Sequence, residues 1–405
     1  MLITDNYRNK IVYYFLSISS SFIILLFYNV LLTRILVPED YGIYKFILSF
    51  LTLCALVFDG GLFSASSYHL ANTNRFSREM LGTIIILTFI IGIFFSFFVF
   101  ISSFYLDRFF NKNVKFIILF VLPLIFIIPY HEIINYIFQG LHKIFQLAFY
   151  KVIPRFLALG IVFYFGRYFS RQKGPAYILA IDLLCGTFFV IFLLARLKPS
   201  FTGFKTHSLT LIHSIKKFGY KIYIATLFHD AFSHAIVVLT SFFLPLKEVG
   251  IYSAAIVICT PILLTGKSFG VVFFQFFAIN RFLKKKYLIA LICILALEVL
   301  FLHYFRINIV YGFFGEQYAL ITIILPLIAG SLAFQSISRF FYVYFMAIGR
   351  GQPCLLINIF FIFSFIFFMA LLAPAFRLVG VAISLLLAST ISGIIGFICV
   401  YSKIK

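Results

Sequence analysis

Long apolar runs, each interrupted by a short polar connection, succeed one another from Ile11 to Tyr401. Many reach the ~20 residues an α-helix needs to cross the hydrocarbon core of a bilayer. By that ruler the chain holds about twelve spans: roughly 11–32, 43–68, 81–105, 114–139, 145–166, 176–195, 220–244, 250–276, 287–305, 318–346, 354–373 and 379–401. A backbone that faces lipid must satisfy its own N–H and C=O groups, so the spans are helices and the predicted fold class is all-α, a polytopic membrane protein. The first run is longer than the ~7–15 residue core of a cleavable signal and reads as a retained span. Pro123 and Pro129 predict a kink in the fourth.

The polar connections repeat as well. The stretch Leu32-Thr33-Arg34-Ile35-Leu36-Val37-Pro38-Glu39-Asp40-Tyr41-Gly42-Ile43-Tyr44 has a worn copy in Leu239-Thr240, Pro245 and Gly250-Ile251-Tyr252. Thr33 and Thr240 stand 207 residues apart, and Gly42 and Gly250 stand 208 apart. In the same order, Leu122-Pro123-Leu124-Ile125 returns as Leu325-Pro326-Leu327-Ile328, and Gly174-Pro175-Ala176 is echoed by Gly380-Val381-Ala382. Co-linear echoes predict a duplicated six-span unit. Six is even, so both copies enter from one side, as parallel repeats that bind substrate at their interface. The expected domains are a six-helix bundle over 1–200, a linker over 201–219 and a second six-helix bundle over 220–405, pseudo-symmetric around a central cavity. The linker's end places Leu211, Ile212, Ile215 and Phe218 on one helical face and His213, Ser214, Lys216 and Lys217 on the other. That pattern suits a short helix on the membrane surface, with a solvated linker as the alternative.

Composition agrees with the spans. Hydrophobic residues make up 63% and charged residues 11%, against about a quarter charged in soluble domains. Trp is absent, so any interfacial aromatic belt is built of Tyr. A net charge of +21 would suggest nucleic acid in a soluble protein; here the basic residues sit mostly in short loops, where topology and anionic head groups account for them, and no nucleic-acid partner is expected. With the N-terminus inside, inner segments hold 19 Lys and Arg and outer loops 10, which places both termini in the cytoplasm. Cys54, Cys185, Cys259, Cys293, Cys354 and Cys399 all fall in apolar runs without a Cys-x-x-Cys pair, and read as buried inert thiols rather than a disulfide frame or metal site. No Gly-rich phosphate loop with a following Lys-Ser/Thr occurs, so the chain is expected to use no ATP and no cofactor, and to draw on a gradient or on removal of its substrate.

These features together resemble the bacterial polysaccharide flippases of the multidrug/oligosaccharidyl-lipid/polysaccharide exporter superfamily. The resemblance lies in Thr33-Arg34-x-Leu36-x-Pro38-x-x-Tyr41-Gly42-x-Tyr44, Gly250-Ile251-Tyr252, Phe314-Gly315-Glu316-Gln317-Tyr318 and Ala347-Ile348-Gly349-Arg350-Gly351-Gln352-Pro353. It implies a cavity lined mainly by spans 1, 2, 7 and 8. It also implies a substrate, a polyprenyl-diphosphate-linked oligosaccharide such as an O-antigen repeat unit, that moves from the inner to the outer leaflet of the bacterial cytoplasmic membrane. Membrane lipids and the polysaccharide polymerase and chain-length machinery are the partners this resemblance suggests.

Ionisable groups inside a membrane are costly unless paired or wetted, so each is a functional candidate. Asp59 and Lys267 are separated by 208 residues, the repeat offset, and are expected at matching positions facing the cavity. Lys267 would attract the diphosphate and Asp59 compete for the lysine; a permanent salt bridge between the bundles is the alternative. His229, Asp230 and His234 lie in span 7, with Asp230 and His234 spaced i, i+4 on one face. They are candidates for proton coupling, with a self-satisfied polar pair as the alternative. Glu132 joins them as a mid-span acid beside His131. Arg339 is a second phosphate ligand or an internal clamp, and Arg34, at the position the family keeps basic, meets the diphosphate or caps helix carbonyls. Arg155 is read as snorkelling to the inner surface. Asp182 and Glu298 have no evident partner in the sequence.

The competing functions are a multidrug or small-molecule antiporter of the same superfamily, and a membrane enzyme such as a glycan polymerase or transferase. The latter needs a substrate-sized extramembrane loop, and the outer loops are short. The reading is therefore a secondary flippase, not an enzyme.

Overall fold

The structure is a computed structural model. It describes residues 22–72, 78–110, 114–141, 143–169, 173–220, 223–224, 227, 231–283 and 285–401. Fourteen α-helices run through these residues: α1 (Phe22–Ile35), α2 (Pro38–Phe58), α3 (Leu62–Asn72), α4 (Arg78–Phe110), α5 (Val114–Ile125), α6 (Ile128–Gly140), α7 (Ile144–Phe165), α8 (Gly174–Arg196), α9 (Phe204–Ser214), α10 (Phe232–Phe243), α11 (Leu246–Asn280), α12 (Lys285–Ile309), α13 (Ile321–Ala347) and α14 (Gly351–Tyr401). No strand occurs among the described residues. Seven of the helices are long and apolar enough to cross a membrane, or eight if α5 and α6 form one span. This is the expected all-α, multi-pass membrane fold.

Each expected span carries helix over at least part of its length, and local chemistry explains where a span is broken. Span 4 is α5 and α6 with a 45° bend between them. Pro123 lies inside α5, and Pro129 sits in the first turn of α6, where a missing N–H does no harm. Spans 11 and 12 both lie in α14, which turns at Arg377 with φ at 51° and ψ at −127°. Arg377 Nη2 there meets Glu248 Oε1 at 2.6 Å. Span 2 is α2 and α3, parted at Asp59-Gly60-Gly61, where both glycines take positive φ (57° and 94°).

The chain divides into two compact units, one of residues 1–36 with 43–238 and the other of 37–42 with 239–405. The first unit therefore takes in the linker and the residues up to Val238, beyond the bundle boundary expected at 200. Its core joins Leu62 and Phe63 of α3, Leu81 and Ile84 of α4, Ile133, Ile134 and Ile137 of α6 and Leu211 of α9. The linker helix α9 is thus a packed part of the unit. Its buried face is Ser208, Leu211 and Ser214, while Ile212 is 43% exposed. The predicted face is corrected accordingly: Ser214 turns inward because its Oγ meets His69 Nε2 of α3 at 2.6 Å. Phe218 and Lys217 fall outside the described side chains. The Gly61 break is where the chain after α9 comes closest, since a Cβ on Gly61 would stand 2.9 Å from the Gly219 carbonyl carbon. Tyr223 Oη donates to the Val57 carbonyl at 2.8 Å, a group near the helix end that the break deprives of its partner.

In the second unit the two copies of the polar motif meet. A Cβ on Gly42 would stand 2.8 Å from the Leu246 carbonyl carbon, and one on Gly250 would stand 3.0 Å from that of Pro38. Pro38 and Leu246 are 208 residues apart, as are Gly42 and Gly250, so the contact is reciprocal: each glycine seats the other copy's helix start. Tyr41, fully buried, packs edge-on against Tyr318 with ring centres 6.3 Å apart. Further along, Gly266 and Gly270 let α11 approach Ser336 and Val343 of α13, the small-residue packing usual between membrane helices. Ser336 Oγ donates to the Ile262 carbonyl at 2.9 Å, and Ser338 Oγ pairs with Ser392 Oγ at 3.0 Å.

Candidate functional site: charged groups among the membrane helices

In the first unit the polar centre is Asp182, on α8. Tyr28 Oη of α1 donates to its Oδ1 at 2.5 Å, and Tyr44 Oη of α2 donates to its Oδ2 at 2.6 Å. Lys45 of α2 and Arg155 of α7 both lie within electrostatic reach of the same carboxylate. Asp182 therefore has four partners where the sequence suggested none. Arg155, read as snorkelling away, is turned to account by Asp182, Tyr150 and Tyr44. Two cations thus meet the same acid among apolar helices. Both tyrosines are buried, at 3% exposure each, and hold Asp182 through neutral donors without adding charge.

The network continues along α7. Tyr150 Oη lies 2.7 Å from His131 Nδ1 of α6, and Glu132 and Arg155 act on the same tyrosine electrostatically. His131 fits because Gly186, one turn beyond Asp182 on α8, has no side chain; a Cβ there would stand 2.9 Å from His131 Nδ1. Glu132 is half-buried. The acid and histidine that the sequence marked mid-span are thus joined to the Asp182 cluster through Tyr150 and Arg155.

Asp59, the acid expected at the cavity, lies at the break between α2 and α3. It is buried, and its Oδ1 accepts the backbone N–H of Phe63 at 2.7 Å. That is the geometry of an N-terminal cap on α3, satisfying one of the donors a helix start leaves open. Lys267 is exposed on α11, Arg339 half-buried on α13 and Arg34 exposed near the end of α1. Asp59 and Lys267 belong to different units. His234 is half-buried on α10; His229 and Asp230, its proposed companions, lie outside the described residues. Five of the six cysteines are buried and Cys293 is exposed on α12, so the expectation of buried thiols fails at that one position, on the helix's apolar outer surface. Among the described residues no group of three or more His, Cys, Asp and Glu is placed to hold a metal ion.

The sequence pointed to acids and bases by their rarity in apolar runs, which found Asp182 as a residue but not its partners. Tyr28 was invisible among 24 tyrosines and Tyr44 stood out only as a motif position, because nothing in a sequence says which hydroxyl lies opposite a distant carboxylate.

The described residues thus form an all-α, multi-pass fold with charged and phenolic groups gathered among its membrane helices. Residues 7–273 match the polysaccharide biosynthesis protein family, and the chain belongs to that family. Solved structures similar to it include the lipid II flippase MurJ in an inward closed conformation, with a TM-score of 0.80, 15% identity, and coverage of 96% of this chain and 88% of that one. A multidrug resistance MATE family transporter of the MOP superfamily, inward-facing, has a TM-score of 0.70 and 16% identity over 94% of this chain and 93% of that one. A MOP superfamily transporter from Pyrococcus furiosus has a TM-score of 0.63 and 15% identity over 96% and 93%. No curated protein sequence matches. At 15–16% identity the likeness is one of fold: the chain folds as these proteins do, in the all-α, multi-pass architecture that its sequence pattern predicted.

Proposed function

We propose that this protein is a secondary flippase that carries a polyprenyl-diphosphate-linked oligosaccharide, an O-antigen-type repeat unit, from the inner to the outer leaflet of the bacterial cytoplasmic membrane by alternating access. The observation that carries the reading is the gathering of ionisable groups among apolar helices: Lys45 and Arg155 both reach the carboxylate of Asp182. Ionisable groups inside a membrane are costly and mark substrate pathways. A diphosphate is an anion that such cations suit, and Arg forks match its oxygens. The family assignment, to polysaccharide biosynthesis, agrees.

Lys267, Arg339 and Arg34 are our further candidates for contact with the diphosphate. Asp59 we assign to the α2–α3 break, its Oδ1 being committed to Phe63. Asp230, His234 and His229, with Glu132, are our candidates for coupling to protons. Both termini would be cytoplasmic, and polymerase and chain-length machinery would act on the product outside.

Deletion of the gene tests the reading. Loss of surface polysaccharide, with lipid-linked repeat units accumulating on the cytoplasmic leaflet, is expected. Accumulation on the outer leaflet would refute it and point to the polymerase. Purified protein in liposomes should flip the diphosphate-linked lipid, and Lys45→Ala or Lys267→Ala should slow it about tenfold or more, the loss of roughly one charge-assisted contact. Export of cationic drugs without flipping would favour the antiporter.

A further inference from the structure

α12 turns one stripe towards its bundle: Leu288, Leu291, Leu295 and Leu302 are buried. Its other faces are exposed and apolar, with Ile289, Leu297, Leu300 and Phe301 at 56–67% exposure. The buried stripe has a gap, and Glu298 fills it, three residues after Leu295 and four before Leu302. The residue stands about the middle of the helix, ~16–20 Å from either end at 1.5 Å per residue, and so near the midplane of a ~30 Å core.

The carboxylate is only half answered. Thr265 Oγ1 of α11 lies 2.7 Å from Glu298 Oε1. Glu298 Oε2 is buried and makes no hydrogen bond. α12 packs against α11 and α13. The charge on α11 nearest to Thr265 is Lys267, two residues on and so about 200° around the helix, and it is exposed. The charge within α13 is Arg339. No ion pair links either to Glu298 among the described residues. A bare carboxylate in this place has no counter-charge, and a proton is the smallest ligand that removes the deficit.

Thr265 is built to register that proton. Its hydroxyl has one hydrogen and two acceptors within reach, Glu298 Oε1 at 2.7 Å and the Pro261 carbonyl at 3.3 Å. When Glu298 is bare, the hydroxyl donates to Oε1. When Glu298 is protonated on that oxygen, the acid donates to Thr265 Oγ1 and the hydroxyl turns to Pro261.

We propose that Glu298 and Thr265 form a proton-binding site within the C-terminal bundle, separate from His229, Asp230, His234 and Glu132. One O–H bond forms on loading and the same bond breaks on release. The use of this proton in transport rests on the gradient-driven reading above; the site itself does not.

Infrared difference spectroscopy on the full chain in lipid tests it. A protonated-carboxyl C=O band that disappears as pH rises is expected, absent in Glu298→Gln and displaced in Thr265→Val. The unfolding temperature of the unaltered protein should fall as rising pH removes that carboxyl band, and the fall should vanish in Glu298→Gln. A carboxyl band that survives Glu298→Gln unchanged overturns the proposal. So does stabilisation by Na⁺ at fixed pH that depends on Glu298, which would make this a metal-cation site. If Glu298→Gln does not fold, an undisplaced band in Thr265→Val is sufficient to refute the pairing. Absence of glycan-lipid flipping with these bands present would sink the functional reading alone; flipping without them would sink the proton site alone.

Discussion

Gly42→Ala adds one methyl group at the reciprocal contact between the starts of α2 and α11. The new Cβ would stand 2.8 Å from the Leu246 carbonyl carbon, nearer still to its oxygen, and 3.0 Å from the Gly250 amide nitrogen. Ordinary contact begins at about 3.4 Å, so the backbones must part by ~0.6 Å or more, and neither neighbour is a side chain that can swing away. Overpacking of this kind costs about 1–3 kcal/mol, set against ~1 kcal/mol of intrinsic gain from replacing glycine in a helix. Because the clash is with backbone, the upper end applies, for a net destabilisation of about 2 kcal/mol, or a fall of roughly 4–8 °C in unfolding temperature at ~2–4 °C per kcal/mol. Gly160→Ala is the control: a Cβ there meets nothing within 4 Å, so it should be neutral or slightly stabilising. Gly250→Ala should match Gly42→Ala, and the double variant should cost less than the two together, because one separation of the backbones relieves both clashes. Differential scanning fluorimetry in detergent, scored beside surface polysaccharide in cells, reads all four. A Gly42→Ala protein as stable as the unaltered one would refute the reciprocal seating, and strictly additive losses would refute the shared separation.

Asp182→Asn should destabilise the first unit by about 1–3 kcal/mol, since Lys45 and Arg155 lose their counter-charge and a tyrosine donor meets an amide N–H₂; Tyr28→Phe should cost about half as much, and an unfolding temperature unchanged in both would discard the cluster. Gly186→Ala drives a methyl group into the His131 ring, so it should lower expression and thermal stability, and His131→Ala should rescue it; failure of rescue would show that another neighbour is struck. Asp59→Ala removes the cap on α3 and should cost about 0.5–2 kcal/mol, whereas Asp59→Asn keeps an acceptor oxygen and should cost less. An Asp59→Asn protein that folds normally but flips no lipid would instead assign the negative charge itself to transport.

The sequence by itself determined the all-α membrane class, the span order and the repeat, because lipid leaves the backbone one way to satisfy its hydrogen bonds and a helix needs a length that can be counted. It also foresaw the bend at Pro123 and Pro129, since proline acts on its own helix. The offset of 208 residues even anticipated which glycines correspond. Only the tertiary structure decided that these glycines seat one another's helices, that Asp59 caps α3, and that Ser214 of the linker turns inward to His69. Tertiary packing alone also chose Tyr28 and Tyr44 from among many tyrosines for Asp182, and left one oxygen of Glu298 without a donor. Periodicity and composition act along one helix, so they are written in neighbouring residues. A hydrogen bond between helices depends on rotation and height, which the apolar residues of a membrane span leave almost free until the neighbouring helices are packed against it.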